Sequence, residues 1–340
     1  MRRGAAVAVA AALVVGATAC RGADEPPDYS DLPRLAARLN QAVGTPPGIA
    51  EVHARGGSMG DAGYFVIDVL LEPDATADQL LELLGMTLPH AMSVAGGRSG
   101  APLTIRTLDG DRLEPDWGPF ADLVAEEPAI RTWVGAETAL EVPVTGQAGE
   151  DGGAFQVDLG ESTSRDVART YRALRQVSPE DVSWDLTAAD DGTALRLASR
   201  RGVPDAAGIG LWRSLLASCQ QPTGGFACSG LGLDVIAPLQ YSGSLVLRVP
   251  PSIEGEELTP ATYGSTLLPL LTAQARLLKR PSVWSYGVSW SHEAGLVPVL
   301  PDRPPAGPAD AGHSTPLFQL PVQPEKASPW AAAVRAALRG

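Results

Sequence analysis

The chain has 340 residues, and its 39 acidic side chains outnumber its 26 basic ones, so that the formal net charge is −13 at pH 7. A surface of this sign repels nucleic acid and anionic lipid headgroups, which excludes a nucleic-acid-binding protein and a protein held to a membrane by a basic patch. The sequence also contains no P-loop and no dinucleotide-binding fingerprint.

The N-terminus has the features of an export signal that is cleaved off. Arg2 and Arg3 form a short positive region, and an uncharged, Ala/Val-rich run follows over residues 4–19. This run is shorter than the ~20 apolar residues that cross a bilayer, but it suits the apolar part of a signal peptide. The small residues at 17–19 fit the cleft of a signal peptidase, so cleavage before Cys20 is predicted.

The residues at this cleavage site resemble a lipidation motif. The sequence Ala-Thr-Ala-Cys at 17–20 is similar to the lipobox of bacterial lipoproteins, with Ala17 where Leu is commoner. The resemblance implies that Cys20 receives a diacylglyceryl group and holds the chain on the outer face of a cell membrane. The alternative is an ordinary secretory signal that happens to contain a cysteine. Cleavage leaves 24 basic and 39 acidic residues, a formal charge of −15.

The composition adds a hint about the source of the chain. Two lysines and one asparagine stand among abundant Ala, Gly, Pro and Arg, which is typical of GC-rich coding of the actinobacterial kind. An anchor of that origin lies in the outer leaflet of the cytoplasmic membrane, under or within the cell wall.

An internal repeat of about 90 residues organises the remainder of the chain. The segment 65–69 (FVIDV) is matched by 155–159 (FQVDL) and again by 245–249 (LVLRV). Each has apolar residues at its first, third and fifth positions, which predicts a strand with one buried face. The fourth position is charged in every copy, as Asp68, Asp158 and Arg248.

The same elements are predicted around each matched strand. A short helix and a strand precede it, and a capped helix and a hairpin with glycine at its turn follow it. The unit is therefore α-β-β-α-β-β, and the fold class is α+β. Because consecutive strands are joined too tightly for parallel crossovers, we expect mainly antiparallel sheets covered by helices on one face. The opening helices are predicted at 32–43, 120–124 and 209–216, the first strands at 50–55, 138–144 and 231–237, and the hairpins at 103–113, 182–198 and 283–300.

These elements divide the chain into an anchor, three units and a tail. The order of elements in a unit loosely resembles the BON-type modules of bacterial envelope proteins. The tail ends in a short helix with Trp330, Val334 and Leu338 on one side. The predicted parts are a signal peptide at 1–19, a lipidated tether at 20–30, units at 31–116, 117–203 and 204–300, a Pro-rich linker at 301–327 and the helix at 328–340.

Two cysteines remain once Cys20 is assigned to lipid. Cys219 and Cys228 lie nine positions apart, and the residues between them are able to turn back on themselves. In an oxidising compartment such a pair predicts one structural disulfide, whereas a redox pair more often has C-x-x-C spacing.

Several short patterns suggest chemistry, but none predicts an active site or a metal site. Residues 56–60 match the G-x-S-x-G motif of serine hydrolases around Ser58, yet strands predicted on both sides favour a flexible hairpin loop. The carboxylates of Asp109, Asp111, Glu114 and Asp116 offer ligands for a hard cation, but a solvated acidic hairpin is favoured. The four histidines, at positions 53, 90, 292 and 313, include no pair with zinc-ligand spacing.

An aromatic row on a predicted strand is the candidate ligand-binding feature. Trp284, Tyr286 and Trp290 alternate with small polar residues. Such a row most often packs into a core, and the alternative is an exposed platform on which sugar rings of the cell wall stack.

Together these features favour a non-enzymatic lipoprotein that binds an envelope protein or a wall component, because repeated units extend a surface. No cofactor and no nucleic acid is expected. A carrier of a small molecule for a transporter is the second hypothesis, although such carriers usually have two lobes around a cleft. A serine hydrolase that uses Ser58 is the third hypothesis.

Overall fold

A computed structural model of the protein describes most of the chain after residue 31. The described residues are 32–43, 46–59, 62–85, 103–115, 123–149, 152–179, 182–220, 224–237, 240–253, 256–278, 282–291, 315–320 and 329–339.

The described strands form a single sheet of twelve strands, and their order in the sheet is their order in the chain. Each strand from β2 to β11 therefore pairs with the strand before it and the strand after it. The strands are β1 (Ile49–Met59), β2 (Ala62–Leu71), β3 (Leu103–Arg106), β4 (Arg112–Pro115), β5 (Val144–Gly149), β6 (Gly152–Glu161), β7 (Ser183–Asp190), β8 (Thr193–Ser199), β9 (Ala227–Ala237), β10 (Gln240–Arg248), β11 (Ser282–Ser291) and β12 (Thr315–Leu320).

The helices alternate with pairs of strands. One helix precedes β1, one follows each of the pairs β1–β2 to β9–β10, and one follows β12. No helix among the described residues is long and apolar enough to cross a membrane. The helices are α1 (Leu32–Val43), α2 (77–85), α3 (Leu123–Ala139), α4 (Ser164–Leu174), α5 (Ala206–Cys219), α6 (Pro260–Leu277) and α7 (Pro329–Arg339), and a short 3₁₀ turn lies at Pro251–Ile253.

The direction of the strands alternates in a regular way. Antiparallel pairing joins β1 to β2, β3 to β4 and so on to β11 and β12, whereas parallel pairing joins β2 to β3 and so on to β10 and β11. Six of the eleven described pairs are antiparallel, so the sheet is mainly antiparallel as predicted. The expectation that parallel crossovers are absent is wrong, because each of the helices α2 to α6 supplies the length that a parallel connection needs.

The helices pack against one face of the sheet, which we call the covered face. Strand β6 shows the pattern: Phe155 and Val157 are buried, while Gln156 and Asp158 between them are exposed. Because successive side chains of a strand point to opposite faces, this alternation separates an apolar covered face from a polar face opposite, which we call the open face.

Aromatic side chains fix several helices to the sheet. Trp133 of α3 donates its indole N–H to the carbonyl of Val144 at 3.0 Å, and Tyr171 of α4 donates its hydroxyl to the carbonyl of Leu197. Trp212 of α5 donates to the carbonyl of Arg196 at 3.1 Å. All three rings are fully buried, so each helix gains a large apolar contact without leaving its polar atom unpaired.

Two predictions around α3 are wrong. The structure has a helix from Leu123 to Ala139 in place of the short helix predicted at 120–124, and β5 begins only at Val144, so the strand predicted at 138–144 is absent from these described residues. Alternating residues at 138–144 suggested a strand, but Thr138 belongs to the last turn of α3, where its hydroxyl donates to the carbonyl of Val134 at 3.0 Å.

The segment predicted as a Pro-rich linker, 301–327, contains a strand. Residues Thr315–Leu320 pair with β11 as β12, although the return strand of this hairpin was predicted at 296–300, which lies outside the described residues. Proline at position 316 argued against a strand in the sequence, because proline cannot donate a hydrogen bond to a neighbouring strand. It is tolerated here because β12 is at the edge of the described sheet.

The C-terminal helix packs on its own chain. Trp330 of α7 is 2% exposed, and its indole N–H donates to the carbonyl of Leu258 at 2.7 Å. Val334 is also fully buried, and Leu338 packs against the core. The prediction of one apolar side on this helix is confirmed, and the side faces α6.

Candidate binding face

The predicted disulfide is present. Cys219, the last residue of α5, is bonded to Cys228 near the start of β9, with their Cα atoms 5.6 Å apart. The bond ties a helix of the covered face to the strand that follows it. Cys20, the predicted lipidation site, lies outside the described residues.

The predicted aromatic platform is described only in its backbone. Strand β11 lies between β10 and β12, and Val288 within it is fully buried. The side chains of Trp284, Tyr286 and Trp290 lie outside the described part of the structure. Their role as a core or as a glycan platform therefore stays a prediction.

Ser58 lies in a strand. The predicted flexible loop is wrong, because the backbone from Gly56 to Met59 continues β1 and pairs with β2, with Ser58 opposite Gly63. A hydrolase elbow requires a sharp turn from a strand into a helix, and here one strand is followed by another.

Hydrogen bonds hold the acidic hairpin, and Asp111 in it is buried rather than solvated as predicted. Asp111 is buried, accepts the hydroxyl hydrogen of Thr107 at 2.7 Å and accepts the backbone N–H of Val144 at 2.6 Å. Glu114 pairs with Arg112. Asp116 lies outside the described residues, and no group of histidine, cysteine and carboxylate side chains among the described ones is arranged to hold a metal ion.

A trough of about 730 Å³ crosses the open face from β4 to β9. Small side chains make room for it, since Ala154 and Ala198 line it where longer side chains would fill the space. Polar and charged side chains surround these alanines. The polar lining residues are Arg112, Glu114, Thr145, Gln147, Gln156, Ser183, Asp185, Arg196, Ser199, Arg200 and Asp234.

The strand register places two carboxylates on opposite sides of one alanine. Asp185 of β7 is opposite Ala198 of β8, and Ala198 is opposite Asp234 of β9. Neighbouring strands are ~4.8 Å apart, so the two aspartates are about 10 Å apart across the sheet. Because the residue between them is alanine, both carboxylates border the same space.

Each of these aspartates is paired with an arginine. Arg196 donates through Nε and Nη2 to Oδ2 of Asp185, at 2.9 and 2.6 Å. Arg200 donates through Nε to Oδ2 of Asp234 at 3.0 Å. The side chains of Arg196 and Asp234 are only 14% and 3% exposed, whereas that of Arg200 is 50% exposed. Charged side chains are seldom buried this deeply unless they are paired with an opposite charge.

Three polar atoms of this cluster have no hydrogen-bond partner within the described chain. They are Oδ1 of Asp185, Nη1 of Arg196 and Oδ1 of Asp234, and all three are buried. Burial raises the pKa of the Asp234 carboxyl, although Arg200 beside it and Arg196 further away act in the opposite direction. The protein thus pays a desolvation penalty at this point that its own ion pairs do not offset.

The trough offers binding groups but no arranged nucleophile. The hydroxyl of Ser183 donates to the carbonyl of Gly153, and that of Ser199 donates to the carbonyl of Arg201. Neither hydrogen bond leads to a carboxylate or histidine that would activate the oxygen. The arrangement is therefore suited to holding a polar ligand.

A second, smaller depression of about 290 Å³ lies on the same face over β1 to β3. Asp68 lines it and pairs with Arg55 at 2.6 Å and with Arg106 at 3.6 Å. His53 of β1 also lines it. Asp68 is recognisable in the sequence as a repeated charge, whereas the cluster in the larger trough was not predicted. The pattern that could have predicted this cluster is a charged residue between two buried apolar residues, repeated on three successive strands as Asp185, Arg196 and Asp234.

The chain matches no protein-family model, and a search of curated proteins finds no match to it.

Proposed function

We propose that the chain is a lipid-anchored protein on the outer face of a bacterial cell membrane, where it binds an envelope protein or a wall component on the open face of its sheet and catalyses no reaction. The observation that carries this proposal is the trough of buried, incompletely paired arginine and aspartate side chains across β4 to β9.

Two features support an extracytoplasmic location. The signal peptide at 1–19 and the lipobox-like residues before Cys20 fit an exported lipoprotein. The disulfide between Cys219 and Cys228 fits an oxidising compartment, since such bonds are rare in the cytosol. The tether at 20–30 then keeps the domain within reach of partners at the membrane or in the wall.

The architecture supports binding rather than catalysis. A sheet usually buries both faces or solvates one of them with simple polar residues. Here the open face carries charges that are largely removed from water, and the hydroxyls of Ser183 and Ser199 in the trough bond to backbone carbonyls. The formal charge of −15 after signal cleavage argues against nucleic acid as the partner.

The sheet is best understood as three α-β-β-α-β-β units, predicted at 31–116, 117–203 and 204–300. Support comes from the order of elements, because the matched segments at 65–69 and 155–159 fall in β2 and β6, and the third overlaps β10, each the second strand after α1, α3 or α5. The helix α7 stands where a fourth unit would begin and packs on α6 instead. Repeated units lengthen one continuous open face.

A small-molecule carrier is the second candidate. The volume of the trough, about 730 Å³, is within the ~300–1,000 Å³ of sites that enclose small ligands. The single one-sided sheet lacks the two facing lobes of such carriers among its described elements, so the larger partner is favoured.

The test combines anchoring with a photo-crosslinker on either face. Full-length protein and the Cys20→Ser variant are expressed in an actinobacterial host and fractionated, and a benzophenone amino acid replaces either Gln156 in the trough or Arg165 on α4. We expect lipidated wild-type protein in membranes, release of Cys20→Ser, and crosslinks to one envelope protein or to wall fragments from position 156 but not from position 165. Equal release of both proteins, or no specific adduct from position 156, would contradict the proposal.

A further inference from the structure

We infer that the trough binds a short peptide that carries a cationic group and an anionic group side by side. This inference rests on the proposed binding function and narrows it to one class of ligand, an amphoteric peptide or the amphoteric peptide part of a larger partner.

The charges of the trough are balanced in sign and interleaved in space. Three arginines, at 112, 196 and 200, line it together with Glu114, Asp185 and Asp234. A site for a polyanion or a polycation would have an excess of one sign. An interleaved site instead complements a ligand whose own charges alternate, because each ligand charge then meets an opposite one.

The atoms that lack hydrogen-bond partners indicate the chemistry of both halves of such a ligand. Oδ1 of Asp234 is an acceptor on a side chain that is 97% buried, and it has no described hydrogen-bond donor, so it fits an ammonium, guanidinium or amide N–H group. Nη1 of Arg196 is a donor and fits a carboxylate or carbonyl oxygen. Arg200, which is half-exposed, lines the trough and donates to the other oxygen of this carboxylate.

The remaining lining favours a peptide over a glycan. Sugar rings bind by stacking on exposed aromatic faces, but the two aromatic side chains that line the trough, Phe155 and Trp184, are each 1% exposed and pack on each other at 5.1 Å. The side chains of Thr145, Gln147 and Gln156 offer hydroxyl and amide groups that pair with peptide N–H and C=O groups. Volume also fits, since about 730 Å³ is the scale of a short segment rather than of a folded domain.

Affinity selection with a defined peptide library tests the inference on detergent-solubilised full-length protein. The probe is a set of acetylated and amidated pentapeptides in which positions two and four are each Lys, Glu or Gln and the other positions are mixed. We expect the Lys/Glu and Glu/Lys sets to be retained at least ~10-fold over the sets with two like charges or with two glutamines. Equal retention of all sets, or retention of none, would overturn the inference.

Point variants locate the binding and have a matched control. Asp234→Asn is expected to lower retention of the Lys/Glu sets to the level of the Gln/Glu sets, and Arg196→Gln to the level of the Lys/Gln sets. Asp68→Asn breaks a comparable arginine pair on the same face outside the trough and is expected to change nothing. Circular dichroism and the melting temperature verify that each variant is folded. An equal loss in Asp68→Asn would contradict the assignment to the trough.

The outcomes separate this inference from the broader proposal. If position 156 crosslinks to an envelope partner while no peptide set is retained, the partner binds the open face by other groups, and only the inference fails. If neither experiment gives a specific product, the proposed binding function fails with it.

Discussion

The carboxylate of Asp234 is almost wholly excluded from water, on a strand whose other residues are small or apolar. The attraction of Arg200 lowers the pKa of this carboxyl, but desolvation is the larger effect, and the pKa is raised. A half-exposed guanidinium compensates poorly because solvent screens it, whereas the carboxylate itself has lost its water. A ligand cation that displaced solvent from the trough would supply the compensating positive charge that the fold alone does not provide.

The raised pKa gives a pH-dependent prediction for Asp234→Asn. The folded state holds the proton more tightly than the unfolded state, so the carboxyl contributes to stability below the unfolded pKa of about 4 and destabilises as the pH rises through the folded pKa. Asn removes that penalty. We expect urea denaturation to show a larger free energy of unfolding for Asp234→Asn than for wild type at pH 7, with the difference shrinking to nothing near pH 4.

Asp166→Asn is the matched control, with the opposite sign. Asp166 accepts hydrogen bonds from the hydroxyl and the backbone N–H of Thr163, which hold its pKa below the usual value. Its stabilisation is present above the unfolded pKa and is lost as the pH falls through the folded pKa. Asp166→Asn should therefore be less stable than wild type at pH 7. If both variants shift in the same direction, burial is not the cause of the effect at Asp234.

Residue-scale prediction from the sequence succeeded where chemistry is local. The disulfide of Cys219 and Cys228 followed from spacing and compartment alone. The cluster around Asp234 was missed because it depends on register: Asp185 and Asp234 are 49 positions apart in the sequence and meet only because β7, β8 and β9 align with Ala198 between them. Alternation shows which face a charge lies on, but not which charge it faces on the next strand.

At the scale of elements, local signals identified the helices that have caps. Thr76 and Gln79 form a reciprocal capping box before α2, and the hydroxyl of Thr259 accepts the N–H of Thr262 at the start of α6. Helix α3 contains Pro128, a residue that is unfavourable inside a helix, so its length was underestimated. Its position is set by Trp133, which packs on the sheet and bonds to Val144, and such tertiary packing is not visible in a local pattern.

The docking of α7 gives a prediction at this scale. Trp330→Ala removes a buried indole and its hydrogen bond to Leu258, a change that costs roughly 3–5 kcal/mol when a site cannot collapse. We expect α7 to separate from α6 and trypsin to cut after Arg335 at least ~100-fold faster, because cleavage follows the population of the opened helix.

Trp330→Phe keeps most of the buried area and loses only the hydrogen bond, so its cleavage should accelerate far less. Unchanged cleavage in Trp330→Ala would mean that α7 is held by contacts other than the tryptophan. The comparison also bears on the proposed repeat, because a helix that covers α6 would act there as the cap of the last unit.

At the scale of the whole molecule, the sequence predicted the succession of elements but not their union in one sheet. Pairing within a hairpin is local. By contrast, the pairing of β4 with β5 and of β8 with β9 connects segments that were predicted as separate units. The parallel register of these pairs is set by α3 and α5 packing on the covered face, and no short pattern encodes it. For the same reason the long open face, and the trough across it, could not be predicted.

The contacts between neighbouring strands, which we call joints, differ in the number of paired residues. This difference predicts which part of the sheet opens first. Strands β3 and β4 have four residues each and are joined by two register pairs, and β4 meets β5 over four. By contrast, β7 and β8 are joined by seven pairs, and β8 meets β9 over six. We expect amide hydrogen exchange to be much faster in β3 and β4 than in β7 to β9, because local opening follows the region with the fewest shared bonds.

Two leucine variants distinguish graded opening from a single cooperative transition. Leu113 of β4 and Leu197 of β8 are both fully buried on the covered face, so replacement by Ala removes similar contacts at a weak and at a strong joint. In a chain of units that contact only their neighbours, Leu113→Ala should speed exchange in β3 and β4 and leave β7 to β9 protected. Leu197→Ala should instead lower protection on both sides of the β8–β9 joint. Equal loss of protection along the whole sheet in both variants would show that the twelve strands open together, and the open face would then have to form in one step.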